Sequence, residues 1–239
     1  MKRVWAVAKK EFWSYFNSMI AYAFALIFLT AVNFVYIWMI LLPSAQVRLN
    51  YYFEVMIWGI WFIIPAITMR TWAEEKRLRT DELLLTLPVK DWEVVLGKFL
   101  AGWGFFGLIL ILSLGVPLGA SLLGSPDWSV VLCGYIGIFL VAGAFIAVGM
   151  TMSSLTRSQF IAFILSLVVC LFLLALKELF AQLPGFAGLG FIINYLDIGE
   201  HFDSIARGVV DSRDLIYYLS AIFFFLVLNK YQLERRKWA

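Results

Sequence analysis

RTWAEEKRLRTDELLLTLPVKDWEVVLGK, residues 70–98, is the longest polar interval in the first three quarters of an otherwise oily chain. Apolar runs long enough to cross a bilayer flank it on both sides. A short helix can be read in its middle. Thr80 is a candidate N-cap, its hydroxyl able to accept a bond from a free first-turn N–H. Asp81 and Glu82 fall in that turn, where negative charge suits the helix dipole. Leu83, Leu84 and Leu87 make one apolar stripe, and Pro88 ends the run. Asp91 can then cap the next helix, which enters the membrane through Val94, Val95 and Lys98. The spacing predicts a membrane helix, a sharp turn, a short amphipathic helix lying crosswise, a second turn and another membrane helix. Such a peg offers a leucine face to a partner at the membrane surface. The plainer reading of the same residues is a charged loop between two spans.

The surrounding composition sets the class. Of 239 residues, 63% are hydrophobic and 15% charged, and the mean hydropathy is +0.89. A soluble domain is about half apolar and about a quarter charged, so the chain is an integral membrane protein. At about 20 apolar residues per crossing, six spans fall at roughly 19–42, 53–70, 97–123, 128–153, 159–177 and 214–231. With that count, 15 of the 19 Lys and Arg lie on one side: those of both termini, of the 70–98 interval, and Arg157. Arg48, Lys177, Arg207 and Arg213 lie on the other. The positive-inside rule then places both termini and residues 70–98 in the cytoplasm. An odd number of spans would part the two basic ends. The expected fold class is therefore all-α, a single transmembrane domain over residues 1–239.

Outside the spans, residues 2–16 read as an amphipathic helix. Val4, Ala8, Phe12 and Phe16 recur every four residues, joined by Trp5 and Trp13, with Lys2, Arg3, Lys9 and Lys10 elsewhere, the pattern of a helix in the membrane interface. A basic flank to the first span is the alternative. Pro65 predicts a kink in the second span. Gly115-x-x-x-Gly119 and Gly143-x-x-x-Ala147 are small-x-x-x-small pairs that let helix backbones approach. Residues 178–213 form the one sizeable outer segment. Its stretch LPGFAGLGF (183–191) can dip into the outer leaflet, followed by a helix with Ile198, Phe202, Ile205 and Val209 on one stripe. Gly208 lets that helix fray, and Asp211 or Ser212 can cap the last span.

Much chemistry is missing. No P-loop, His-Glu-x-x-His or Gly-x-Ser-x-Gly occurs, so no catalytic site is expected and no cofactor or metal is implied. Cys133 and Cys170 sit in apolar runs without metal or disulfide spacing. The single histidine, His201, reads as a solvated surface residue. Glu54, Lys98 and Lys177 lie near span ends, within reach of the interface. No ionisable residue sits deep in a span, which weighs against ion-coupled transport.

AEEKRLRTDELLLTLPV (73–89) followed by DWEVVLGKFLAG (91–102) resembles the first cytoplasmic loop of ABC-2 type permeases. The match runs through Ala73, Glu74, Glu75, Lys76, Thr80, Glu82, Leu84, Leu85, Pro88, Val89, Gly97 and Lys98. Arg79 stands where that family most often has glycine, which implies a tighter or more helical turn. KEFWSYFNSMIAY (10–22), HFDSIARGVVDSRDLIYYLS (201–220) and LERRKW (233–238) resemble the gliding-motility subgroup. The resemblance implies a permease subunit in the plasma (cell inner) membrane, lacking its own ATPase and leaning towards export. It implies two copies of an ABC ATPase as partners, a second permease subunit, identical or related, and membrane lipid; nothing points to nucleic acid. Residues 80–87 would be the coupling helix, with Leu83, Leu84 and Leu87 in a groove of the ATPase. Glu74, Glu75, Arg77 and Glu82 would pair with charges around it, and Thr80 and Pro88 would bound it. A membrane scaffold that binds a cytoplasmic partner without transport is the competing expectation.

Overall fold

In the computed structural model, residues 2–44, 48–80, 90–124, 126–181, 190–209 and 211–236 are described, and among them the regular structure is helical. Helix α1 (Lys2–Phe16) is followed after a two-residue turn by α2 (Met19–Val35), which widens into π-helical turns over Tyr36–Leu41. Helix α3 (Leu49–Thr68) passes through a turn at Met69 into α4 (Arg70–Leu78). Then come α5 (Asp91–Ser113), α6 (Gly115–Ala120), α7 (Trp128–Leu155) and α8 (Gln159–Leu174). The rest of the chain supplies α9 (Leu176–Ala181), α10 (Gly190–Leu196), α11 (Ile198–Ala206) and α12 (Ser212–Arg236).

Helix α7 is the hub. It packs against α12, α3, α8, α5, α11 and α4, and from Leu140 to Thr151 every residue is buried. Two of its glycines allow this. A Cβ on Gly134 would fall 2.4 Å from the Phe53 ring, and one on Gly149 would fall 2.0 Å from Thr68 Oγ1. Thus α3 and α7 touch at closer range than any larger residue permits. The Gly115/Gly119 pair does not work this way. A Cβ at either would meet nothing within 4 Å; α5 ends at Ser113 and these glycines lie in the short α6 beyond it. Gly143 does meet Trp103 and Ile222 closely.

Among the described residues five helical stretches are long and apolar enough to cross a membrane: Met19–Leu41, Leu49–Leu78 (α3 with α4), Asp91–Ala120 (α5 with α6), Trp128–Leu155 and Ser212–Arg235. Gln159–Leu174, expected as the fifth of six crossings, is shorter. Its helix breaks at Ala175, and the Lys177 N–H turns to the Asp197 carboxylate (2.8 Å). Asp197 also accepts from the Glu200 N–H (2.9 Å), so one buried carboxylate caps α9 and α11 together. Burial raises its pKa, against the pull of those backbone donors.

Helix α1 follows the expected stripe in part: Val4, Ala8, Phe12 and Phe16 face inward, but Trp5 and Trp13, expected to join them, are exposed, because they lie off the face packed on α5. It lies along α5, with Val7 on Gly97, Phe12 near Gly104 and Tyr15 stacked on Phe105. At the other end of the bundle α11 buries Ile198, Phe202 and Ile205. Val209 leaves the stripe and is exposed, since α11 stops at Ala206 and Gly208 turns the chain at φ +88°. Asp211 caps α12 through the Arg213 N–H (3.0 Å). The stretch 183–191 lies outside the described residues up to Gly190, where α10 begins.

Candidate functional site

The motif Ala73-Glu74-Glu75-Lys76 occupies α4, and each buried member has a structural task. Ser153 of α7 bonds the start of α4: its Oγ accepts from the Trp72 and Ala73 N–H groups (both 3.1 Å) and donates to the Met69 carbonyl (2.9 Å). Ala73 is fully buried, which admits that approach. Lys76 is buried too, and its ammonium bonds the Ser154 carbonyl. That carbonyl belongs to the last turn of α7, where a helix has free acceptors and the negative end of its dipole.

Glu75 meets Lys98. The Lys98 Nζ lies 2.6 Å from Glu75 Oε1, 3.4 Å from Glu11 Oε1 and 3.2 Å from the Thr71 carbonyl, and 4.9 Å above the Trp72 ring. Its side chain is only 2% exposed. This corrects the expectation that Lys98 reaches the interface. Helix α5 starts at Asp91, so Lys98 sits about two turns inside it, facing α1 and α4. An isolated buried ammonium would be prohibitive; two carboxylates, a carbonyl and an aromatic face make it tolerable. One cation thereby joins α1, α4 and α5.

The remaining expected residues divide by position. Glu74 is half-buried and pairs with Arg70 (3.3 Å), whose Nη1 also donates to Ser18 Oγ (2.9 Å) in the α1–α2 turn. Glu74, Glu75 and Lys98 line a cleft of about 240 Å³ with Lys10, Glu11 and Arg70. Arg77 is exposed and faces a different cavity. Thr80 closes α4: its N–H and hydroxyl both donate to the Glu75 carbonyl, at 3.0 and 3.4 Å. Arg79, before it, adopts the left-handed conformation at φ 56°, ψ 23°. This is a glycine-type C-terminal turn built with an arginine, rather than a more helical one. Glu82, Leu83, Leu84, Leu87 and Pro88 lie outside the described residues, as does the rest of 81–89. Beyond them Lys90, not Asp91, is the capping residue of α5: the Glu93 carboxylate reaches back to the Lys90 N–H (3.0 Å), and Asp91 is the first helical residue.

Both arms that bracket 81–89 are thus pinned. Helix α4 is fixed to α7 through Ser153 and Lys76, and α5 is fixed to α4 and α1 through Lys98. Sequence reasoning passed over Glu11, Ser153 and Ser154. An acid alone in a basic helix, and paired serines closing a glycine-rich span, were the available signals.

At the opposite end His201 is not solvated. Its Nδ1 lies 2.7 Å from Asp214 Oδ1, its Nε2 3.1 Å from the Tyr195 carbonyl, and its ring stacks on Tyr217 at 4.0 Å. The reason is the contact of α11 with the start of α12, where Asp214 is buried.

Helices of this length and apolarity, packed around a buried hub, define a multi-pass membrane protein. No curated protein matches the chain. The family model described as ABC-2 family transporter protein matches residues 50–229, well over half of the chain, and the chain belongs to that family. Membership makes it a membrane permease of the ABC transporter type, a class that works with an ABC ATPase.

Proposed function

We propose that the chain is the membrane-spanning permease subunit of an ATP-driven exporter, coupled to a separate ATPase subunit through a helix at 80–87. The observation that carries this reading is the pinning of both arms around 81–89 by Lys76, Ser153 and the Lys98–Glu75 pair. A push on a peg held between fixed arms passes to α4, α5 and the hub α7 as rigid tilts instead of dissipating in a loop. Leu83, Leu84 and Leu87 fill the partner's groove, with Glu82 and Glu74 at its rim. Glu75 is engaged within the subunit and serves the clamp.

On this reading the chain crosses six times, with α8 and α9 together forming the fifth crossing, and both termini and the 81–89 segment lie in the cytoplasm. That orientation rests on 15 of 19 basic residues falling on one side of the plasma membrane. Two such subunits and two ATPases make the working unit, and the resemblance of the terminal segments supports a relation to the gliding-motility subgroup. Leu84→Asp tests the reading. Moving a buried leucine's contribution to a charge costs at least about 1.5–3 kcal/mol, a tenfold or greater loss of association. The variant is expected to insert normally and to uncouple ATP hydrolysis from transport. Full ATPase association and transport by Leu84→Asp would overturn it; association with no transport by the wild type would favour a scaffold.

A further inference from the structure

Arg77 and Arg157 are both exposed, and among the described residues neither has an ion pair or hydrogen bond. They come from different elements, the end of α4 and the approach to α8, yet line one groove of about 780 Å³ between α2 and α8. Four aromatics form most of the remaining wall, Phe24, Phe62, Phe160 and Phe163, with Met69 and Ser158 beside them; Phe160 is 72% exposed and Phe62 stands edge-on to Phe163 at 5.6 Å. Gln159, which also lines it, keeps its Nε2 shielded and without an acceptor among the described residues. Among the described residues that line the groove none is a carboxylate.

We propose that this groove holds one anionic phospholipid, its phosphate between Arg77 and Arg157 and its acyl chains against the aromatic wall. Guanidinium forks match phosphate oxygens, and they stand at the N-terminus of the 16-residue α8, where backbone donors favour an anion. A small soluble anion would leave the adjoining aromatic wall uncovered. A second copy meeting this groove symmetrically would bring the same two cations together, with no acid among the described lining residues to answer them. Cations beside exposed aromatics fit a ligand with a charged head and an apolar tail. The proposal rests on the reading of the chain as a membrane permease, and assigns the lipid to the cytoplasmic leaflet on the proposed orientation.

The test titrates phosphatidylglycerol or phosphatidylcholine into the detergent-solubilised full chain, reading bound lipid by native mass spectrometry. Phosphatidylglycerol is expected to occupy one saturable site that inorganic phosphate does not empty. Each of Arg77→Gln and Arg157→Gln should weaken it on the order of fivefold, and the pair about thirtyfold, the worth of a basic residue at an anionic membrane surface. Arg207→Gln, at the other end, should leave it unchanged, and thermal unfolding in phosphatidylcholine should be equal for all variants. Equal binding of phosphatidylcholine, wild-type retention by the double variant, or disulfide cross-linking of two copies through Phe163→Cys would overturn the proposal. None of these readouts involves the ATPase, so failure here leaves the coupling reading untouched, and failure of Leu84→Asp leaves the lipid site untouched.

Discussion

Replacing Lys98 with methionine removes the cation shared by α1, α4 and α5 while keeping most of the length of the side chain. At 2.6 Å from Glu75, the bare attraction is about 6 kcal/mol at an effective dielectric near 20, before desolvation is subtracted. Desolvation takes back much of that, so the pair's net worth is modest. The single substitution is another matter, since it strands the Glu75 carboxylate, whose side chain is 19% exposed and whose Oε2 already lacks a partner among the described residues. Breaking a buried pair from one side costs about 3–5 kcal/mol, and partial access to water sets the expectation here at about 3 kcal/mol. Glu75→Gln in the same background removes the stranded charge. The double variant should therefore recover more than half of the loss, a coupling of about 2 kcal/mol in the cycle. The assay is tryptophan-monitored unfolding of the solubilised protein by graded denaturing detergent. A loss for Lys98→Met of under about 0.5 kcal/mol, or a double variant equal to the sum of the singles, would refute the reasoning.

Two further substitutions probe the scaffold. Gly149→Ala puts a Cβ 2.0 Å from Thr68 Oγ1 and should destabilise by about 1–3 kcal/mol in the same assay, with Thr68→Ala giving back part of it. Arg79→Gly relieves a left-handed residue at φ 56° and should stabilise by up to about 1 kcal/mol; a destabilised variant would show that the arginine side chain anchors the turn.

The multi-span helical class is plain in the sequence because hydropathy is summed over many residues. The stripe of α1 and the buried face of α11 were equally readable, since period and burial coincide there. What failed was local. The Gly115/Gly119 spacing matches a packing motif, but α5 ends just before it, and spacing alone cannot report a helix end. The charged neighbours of His201 in sequence suggest solvent, while its actual partners, Asp214 and Tyr217, arrive from another helix. The break in the fifth expected crossing depends on Asp197, 20 residues after Lys177. In the clamp, Glu75, Lys76 and Lys98 were singled out as a motif, but their roles turn on Ser153, Ser154 and Glu11, long-range partners that no short window contains.

The central claim is that the segment between the pinned arms seats in an ABC ATPase subunit. It is tested most directly by replacing Leu84 with cysteine, attaching a short cross-linker in intact membranes, and identifying the adduct by peptide mass spectrometry. The account predicts an ATPase subunit containing a P-loop, with adduct yield rising or falling when ATP is bound. Adducts only with lipid, or with a labelling reagent confined to the outer face of the membrane, would contradict it.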